Sequence, residues 1–169
     1  EFRASALQVY ANGVASAVGP QIAGKNSATA PAAQTLSIRA VETNTLTGAC
    51  QSRLSGAQTI EFASECLNPS SCVAGQTARV DGVAIPGHAS GSVSSYQPVS
   101  LNFDASGYAP IVFSYSDVGM LVLHARANLP ATAQQAAAVI SGASNAFVVA
   151  PAGLCVEPVS GSGSCPSGN

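Results

Sequence analysis

The chain has 169 residues, which is long enough for one domain with a hydrophobic core. Charged residues make up only 8% of it, against roughly a quarter in an average soluble domain, and Lys25 is its single lysine. A net charge of −2 with so few basic residues excludes a surface that neutralises nucleic-acid phosphates. No apolar run approaches the roughly 18 residues of a membrane span. The remaining polar residues are mostly Ser, Thr, Asn, Gln and Gly, a composition typical of an exported β-rich domain.

The first half of the chain predicts short strands separated by turns. Strands are expected at residues 6–10, 35–41, 59–63 and 78–85. In the second of these, Leu36, Ile38 and Ala40 alternate with polar residues and should face a core. Residues 14–33 are rich in Ala, Gly and Pro and predict an irregular connection with one short strand, and residues 68–71 predict a turn.

The clearest alternation runs through residues 97–127, which predict three consecutive antiparallel strands joined by turns at 104–107 and 116–119. In the last strand one set of side chains is purely aliphatic and should face the core: Leu121, Leu123, Ala125 and Ala127. The alternate set should point outward: Met120, Val122, His124 and Arg126. The Asp and Gly residues of this stretch are therefore predicted to be turn residues.

The last third of the chain departs from this pattern. A Pro followed by an Ala- and Gln-rich run predicts a short helix or a long loop near 131–140. Residues 145–150 return to a strand that ends at Pro151, and the Gly- and Ser-rich residues after 159 resemble a linker. We therefore expect a domain at 1–151, followed at 152–169 by a linker or the start of another module.

These elements predict an all-β fold, an immunoglobulin-like antiparallel β-sandwich of seven to nine strands. The stretch from Asp117 to Ala125 resembles the start of strand F in immunoglobulin-like domains, which makes 109–115, 119–127 and 145–150 strands E, F and G. Leu121 and Leu123 stand where such domains carry a Tyr and a Cys, so only the architecture is expected to carry over.

Five cysteines lie in Ser- and Gly-rich surroundings, which favours disulfides formed in an oxidising compartment. They are Cys50, Cys66, Cys72, Cys155 and Cys165. Tight Cys-x-x-Cys or Cys/His pairs, which a zinc site needs, do not occur. Loop closure favours Cys66 with Cys72 and Cys155 with Cys165, leaving Cys50 free or paired outside this chain. A pairing of Cys50 with Cys66 or Cys72 is the competing possibility.

No motif for nucleophilic catalysis or phosphate binding is present, so we predict no catalytic residue, no metal and no cofactor. A hydrolase would have to use His124 with Asp104 or Asp117, and Glu61 with Glu65 could form a weak cation site on one strand face. His88 is expected in an exposed loop.

The candidate binding-face residues are His124, Arg126, Tyr108 and Tyr96. Carbohydrate binding normally needs exposed aromatic rings, and the sequence has no Trp. Only its four tyrosines could serve, which are Tyr10, Tyr96, Tyr108 and Tyr115.

Several stretches together resemble a known family: QIAGKNS, RAVETNTLTGAC, GACQSRLSGAQTIEFASECLNPSSCVAGQ, NFDASGYAPIVFSYSDVGMLVLHA and SNAFVVAPAG. This family of uncharacterised domains occurs in the MSHA (mannose-sensitive haemagglutinin) pilus biogenesis protein Q and similar large bacterial surface proteins. The resemblance covers residues 17–157, and its most specific motifs are the Cys-x-Asn-Pro-x-x-Cys loop at 66–72 and the Asp-Val-Gly turn at 117–119. It implies a domain boundary at 147–151 and brings no catalytic residues.

The resemblance implies a segment of a long, exported protein encoded among type IV pilus components. The expected function is therefore a non-enzymatic extracellular module of a pilus-associated or cell-surface protein, with a structural or adhesive role. Expected partners are the other domains of that protein, pilus components, or a host or surface glycan. A carbohydrate-binding module and a secreted hydrolase are the alternatives.

Overall fold

The computed structural model describes residues 5–43, 50–129 and 137–153. All the regular elements within these ranges are β-strands. The strands of the first part are β1 (Ser5–Ala11), β2 (Val14–Ala15), β3 (Gln21–Ile22), β4 (Leu36–Thr43), β5 (Cys50–Ser52), β6 (Gly56–Asn68), β7 (Ala78–Val80) and β8 (Val83–Ile85). Those of the second part are β9 (Gly87–Ala89), β10 (Gln97–Phe103), β11 (Tyr108–Ile111), β12 (Phe113–Tyr115), β13 (Gly119–Leu129), β14 (Ala138–Ala143) and β15 (Phe147–Ala150).

The strands form three sheets. The first sheet has the order β11-β4-β1-β2, with β5 also pairing β4. The second has the order β10-β6-β13-β15-β3, with β14 on β13 and β9 on β6. The third is small, with the order β12-β7-β8. The pairs are antiparallel except β15 with β3 and β6 with β9, which are parallel.

The first and second sheets bury their alternating apolar side chains in one common core. Val9 and Ile38 of the first sheet belong to the same buried cluster as Phe62 and Leu123 of the second. The third sheet joins this core through Phe113, whose ring meets that of Phe147 edge to face at 5.4 Å between centroids. Two sheets that share one apolar layer form a β-sandwich, which confirms the predicted fold class.

The two sheets come closest where β1 packs against β14. A Cβ on Gly142 would lie 1.7 Å from the carbonyl oxygen of Leu7, so only glycine allows this backbone contact.

The inward faces were predicted correctly. Leu36, Ile38 and Ala40 are buried in β4, and all four aliphatic side chains of β13, from Leu121 to Ala127, are at most 2% exposed. His124 and Arg126 lie half-buried on the opposite face of β13. Period-two alternation is therefore a reliable guide to which face of a strand meets the core.

The pairing predicted for residues 97–127 is wrong. β10 and β13 lie on either side of β6 in the second sheet and do not pair with the strands between them in the sequence, and β11 pairs with β4 in the other sheet. The strand expected at 109–115 is broken at Val112, after which β12 joins the third sheet. The Asp81 carboxylate and amide bind the Val112 backbone at this break, at 2.7 and 2.8 Å. Alternation identifies the buried face of a strand but not the strand beside it.

The single strand predicted at 78–85 is a hairpin of β7 and β8. Asp81 and Gly82 both have positive φ, 49° and 79°, which is the two-residue turn that an Asp-Gly pair favours.

The helix predicted near 131–140 is wrong where it can be compared with the structure. Residues 138–140 belong to β14, which pairs with β13 and buries Ile140. Residues 131–136 lie outside the described residues. The backbone of β13 offers hydrogen bonds along this edge, and this tertiary pairing outweighs the helix propensity of the Ala-rich run.

Other elements differ in length or number. The strand predicted at 59–63 is the thirteen-residue β6, and the connection at 14–33 contains two short strands instead of one. The described ranges hold fifteen strand segments instead of seven to nine, because the chain changes sheets and leaves short pieces at each change.

Candidate functional site

The outer face of the second sheet collects most of the polar residues that the sequence singled out. β13 lies beside β6 in antiparallel register, with Arg126 opposite Glu61 and Val122 opposite Glu65. Outward residues of neighbouring strands therefore come together, although about sixty positions separate them in the chain.

His124 and Glu65 form one pair on this face. The imidazole Nε2 lies 2.7 Å from Glu65 Oε2, and the backbone N–H of Gly91 donates to the other carboxylate oxygen at 2.7 Å. The Gly91 N–H and then the His124 imidazole lower the pKa of the Glu65 carboxyl from its ordinary value, against burial, which raises it. The Glu65 carboxylate is thus held in its charged form by donors from one strand and one loop.

Arg126 and Glu61 form a second pair. Arg126 Nε donates to Glu61 Oε2 at 2.6 Å, and the Asn128 amide donates to the same oxygen at 3.1 Å. The Arg126 guanidinium also lies over the Tyr96 ring, 4.2 Å from its centroid. Three of the four predicted binding-face residues, His124, Arg126 and Tyr96, therefore lie on this one surface.

Tyr108 lies elsewhere. It belongs to the first sheet, where its ring packs against Tyr10 at 5.1 Å and under the Arg39 guanidinium at 4.8 Å. Tyr108 therefore does not share a surface with the other three candidate residues, because β11 joins the sheet opposite β13. Tyr10 and Tyr115 are only 9% and 4% exposed, so they offer no free ring face to a ligand.

The constellation that a hydrolase would need, His124 with Asp104 or Asp117, is not formed, since His124 contacts Glu65. Asp104 accepts hydrogen bonds from the backbone of Ser106 and Tyr108, and Asp117 accepts one from Val118. Both aspartates stabilise turns, as the sequence predicted for the Asp residues of this stretch.

His88 was expected in an exposed loop, but it lies half-buried in β9, opposite Glu65 in register. Its Nε2 is 3.0 Å from the Ser95 carbonyl oxygen and 3.3 Å from the Ser95 hydroxyl. Because a carbonyl oxygen only accepts, this nitrogen carries the proton and cannot serve as a base for the Ser95 hydroxyl.

The carboxylates of Glu61 and Glu65 do not build the cation site considered from the sequence. Each carboxylate is instead hydrogen-bonded to a side chain of β13, Glu61 to Arg126 and Glu65 to His124. Over the described ranges, no group of three or more His, Cys, Asp and Glu side chains is arranged to hold a metal ion.

Cys66 and Cys72 are joined in a disulfide, with 5.3 Å between their Cα atoms, which confirms the predicted pairing. The competing pairing of Cys50 with either of them is wrong. Cys155 and Cys165 lie outside the described residues.

Two features escaped the sequence reasoning. Arg53 donates to the buried carboxylate of Glu42 on the first sheet, and neither residue stands in a motif that would signal the pair. A polar groove of about 370 Å³ on the outer face of the second sheet is lined by Ala57, Gln58, Thr59, Ser100 and Asn128. The alternation of β6 and β10 could have indicated its small, polar lining, but not that the two strands are neighbours.

Comparison with known protein families identifies the family to which the chain belongs. The family described as a domain of unknown function (DUF6701), first Ig-like domain, matches residues 1–143. The chain belongs to this family. The match establishes the immunoglobulin-like fold and an uncharacterised family, and it carries no association with a pilus protein. Curated proteins and solved structures provide no match.

The DUF6701 match ends at Ala143, the last residue of β14, and the second sheet continues beyond it. β15 pairs with β13 from Gly119 to Leu121, so residues 147–150 belong to the second sheet. The described part of the chain contains no helix with the length and hydropathy needed to cross a membrane.

Proposed function

We propose that this DUF6701 domain is a non-enzymatic structural module of an exported bacterial cell-surface protein. The observation that carries the proposal is the pairing of its acid–base side chains. Glu65 pairs with His124 and Glu61 with Arg126, each at hydrogen-bonding distance.

Such pairing supports a structural role because a catalytic acid or base must reach a substrate. The Glu65 carboxylate faces donors of its own fold on both oxygens, and the Nε2 of His88 donates to a backbone carbonyl. In this arrangement the hydrogen-bonding groups of Glu65 and His88 stabilise the sheet and are not available to bind a ligand.

The Cys66–Cys72 disulfide supports location outside the cytoplasm, where thiols stay oxidised. The low charge and the hydroxyl-rich surface fit the same environment. The pilus-associated surface proteins that the sequence resembles provide the setting: a stalk or an adhesive segment of a long protein. Its partners would be the neighbouring domains, pilus components, or a host or surface glycan, with residues 152–169 leading to the next module.

Labelling with a fluorophosphonate probe, which reacts with activated serines, tests the non-enzymatic part of the proposal. We expect no more labelling of the folded chain than of a heat-denatured control, and no change in His88→Ala or His124→Ala. Labelling of the folded chain that either variant abolishes would overturn the proposal.

The location is tested separately in the native host. A membrane-impermeant biotin reagent applied to intact cells should label the protein, and non-reducing peptide mapping of the labelled material should recover the 66–72 bridge. Protein that is protected in intact cells and labelled only after lysis would contradict a surface location.

The polar groove favours a second candidate, a carbohydrate-binding module. Thr59, Ser100 and Asn128 present hydroxyl and amide groups there, with the Glu61–Arg126 pair adjacent. A glycan array tests this: binding that Ser100→Val abolishes and Ser37→Val, on the other sheet, leaves intact would support it. Absence of binding across the array would leave the structural role as the better account.

A further inference from the structure

Strand β10 forms one edge of the second sheet. It pairs with β6 on one side and with no described strand on the other. Its side chains alternate between exposed and buried, and Val99, Leu101 and Phe103 belong to the core. The unpaired backbone N–H and C=O groups of such an edge are a template on which another strand can pair.

Pro98 shows which backbone groups of β10 point to the open side. It is the register partner of Glu61 on β6. Because proline has no N–H, this pair cannot exchange two backbone hydrogen bonds, so the residues beside it, Gln97 and Val99, make the bonds to β6. Since the direction alternates along a strand, the backbone groups of Ser100 and Asn102 point away from β6.

Ser100 and Asn102 keep these groups free within the described part of the chain. Both residues are exposed, and no described residue accepts a hydrogen bond from the backbone N–H of either one. Natural edge strands commonly carry charged side chains that prevent pairing, and β10 contains none. The open side of β10 therefore offers donors and acceptors without a protecting charge.

The terminal strand of the first sheet, β11, is protected instead. Pro110 lies opposite Ser37 of β4, so by the same reasoning the backbone groups of Tyr108 and Pro110 point away from β4. The Tyr108 N–H donates to the Asp104 carboxylate at 3.0 Å, and the Tyr108 carbonyl accepts from the Asp104 N–H at 2.8 Å. Pro110 has no N–H, so β11 retains no free donor on its open side, whereas β10 does.

The open side of β10 requires a strand of a particular pattern. An added strand continues the sheet, so its side chains must be apolar toward the core layer and neutral toward solvent. β10 itself has this pattern, with Val99 and Leu101 on one face and Ser100 and Asn102 on the other. The edge carries no charge that would attract a charged partner or repel an identical strand.

We propose that a second copy of the chain occupies this edge, with the β10 strands of the two copies pairing antiparallel. Ser100 of each copy lies opposite Asn102 of the other, and both residues donate through their N–H and accept through their C=O. Leu101 then meets Leu101 of the second copy at the two-fold axis, and the second sheets of the two copies become continuous. The inference does not depend on the proposed surface function.

This register also accommodates Pro98. It places Pro98 opposite Asp104 of the second copy, beyond the paired segment. The Asp104 N–H already donates to the Tyr108 carbonyl of its own copy, so the pairing leaves no donor without a partner there. Every free N–H of the two edges is used.

Ser100→Pro tests the proposal because it removes the N–H of Ser100 without removing a bond to β6. Position 100 has the same backbone orientation as Pro98, and proline is tolerated where its nitrogen faces the open side of an edge strand. Ser100→Ala is the matched control, since it removes the same hydroxyl and keeps the N–H. Free thiols are alkylated beforehand without reduction, so that disulfides between copies do not contribute. Sedimentation velocity is recorded for the 169-residue chain and both variants over a roughly hundredfold range of protein concentration.

We expect the wild type and Ser100→Ala to pass from monomer to dimer with similar dissociation constants. Ser100→Pro should raise the dissociation constant at least about tenfold, because each copy loses a hydrogen bond to the other and the proline ring meets the opposing strand. Amide hydrogen exchange of the wild type gives the local readout. The amides of Ser100 and Asn102 should exchange rapidly in dilute protein and become protected as the dimer forms, while those of Val99 and Leu101 stay protected throughout.

A chain that stays monomeric over the whole concentration range would overturn the proposal. A dimer that Ser100→Pro leaves intact, or one in which the Ser100 and Asn102 amides still exchange rapidly, would also overturn it, since the contact would then lie elsewhere. If Ser100→Pro loses the dispersed amide spectrum of a folded domain, Asn102→Pro, with the same backbone orientation, replaces it with the same expected result. Hydrogen exchange of the wild type decides independently of both variants.

Discussion

Two regions of the outward face of β13, Met120 near its start and the His124 and Arg126 pair farther along, meet very different neighbours. His124 and Arg126 find carboxylates on β6 at 2.7 and 2.6 Å. Met120, four residues away from His124, has Val148 as its cross-strand partner. The difference teaches that outward residues of one strand face depend on the neighbouring strands for their contacts: the polar ones find partners within the sheet, and Met120 stays 37% exposed.

This comparison reverses the first impression from the sequence. His124 and Arg126 attract attention as candidates for chemistry, but each is paired within the sheet and holds two strands in register. Met120 and Val148 attract no attention in the sequence, yet they are the exposed large apolar pair of this face, 37% and 45% exposed. The predictions that follow test each side of this difference.

Leu123→Ala should give the largest effect, a loss of about 2–5 kcal/mol in the free energy of unfolding, because it leaves a cavity in the core beneath both regions. Leu123 is 2% exposed. Chemical denaturation measures the loss, and His124→Ala, the next residue on the outward face, is the matched comparison. Equal losses for the two variants would contradict the assignment of the faces.

Replacing both Cys66 and Cys72 by Ser should lower the free energy of unfolding by about 2 kcal/mol, because the bridge restricts a short loop in the unfolded chain. The bridge closes the loop formed by residues 67–71. Urea denaturation under non-reducing conditions gives the value, and Ser70→Ala inside the loop serves as control. A loss no larger than that of the control would show that the bridge does not stabilise the domain.

Glu65→Gln should cost about 1 kcal/mol at neutral pH, since it weakens a charge-assisted hydrogen bond to His124 and another to the Gly91 N–H. A double-mutant cycle with His124→Gln isolates the coupling between the two side chains. Additive losses in that cycle would mean that the interaction between Glu65 and His124 does not stabilise the folded domain.

The same carboxylate makes stability depend on pH. Because folding lowers the pKa of Glu65, its contribution is present above the pKa of the unfolded chain, about 4.3, and is lost as the pH falls through the lower folded value. Glu65→Gln should therefore differ from the wild type most at pH 6–7 and least below pH 3. Denaturation midpoints across this range measure the difference, and a gap that widens toward acid pH would contradict the sign.

Arg126→Ala should have the smallest effect, about 0.5 kcal/mol, because its side chain is 37% exposed and solvent screens its pair with Glu61. Its packing over the Tyr96 ring adds a modest contribution. Thermal denaturation at low and high salt separates the two, since only the ion pair weakens with salt. A salt-independent loss above about 2 kcal/mol would place Arg126 with the core residues.

Much of the local organisation could be predicted from the sequence because it depends on neighbours along the chain. Alternation in 119–129 identified the buried Leu121 and Leu123, and the Asn-Pro turn between Cys66 and Cys72 indicated their pairing. The Asp81-Gly82 hairpin also had a local signal, the Asp-Gly dipeptide, which the weak alternation of 78–85 concealed.

Tertiary structure alone decided what depends on residues far apart in the chain. Apart from proline, which lacks the N–H group, every residue type offers the same backbone donor and acceptor, so the sequence of β11 does not reveal that its partner is β4 in the other sheet. For the same reason His124 could be placed on an outward face, while its partner Glu65 became visible only once β6 lay beside β13. The two-residue alternation of side chains determined which face of each strand is buried. The packing of the chain determined which strands lie side by side.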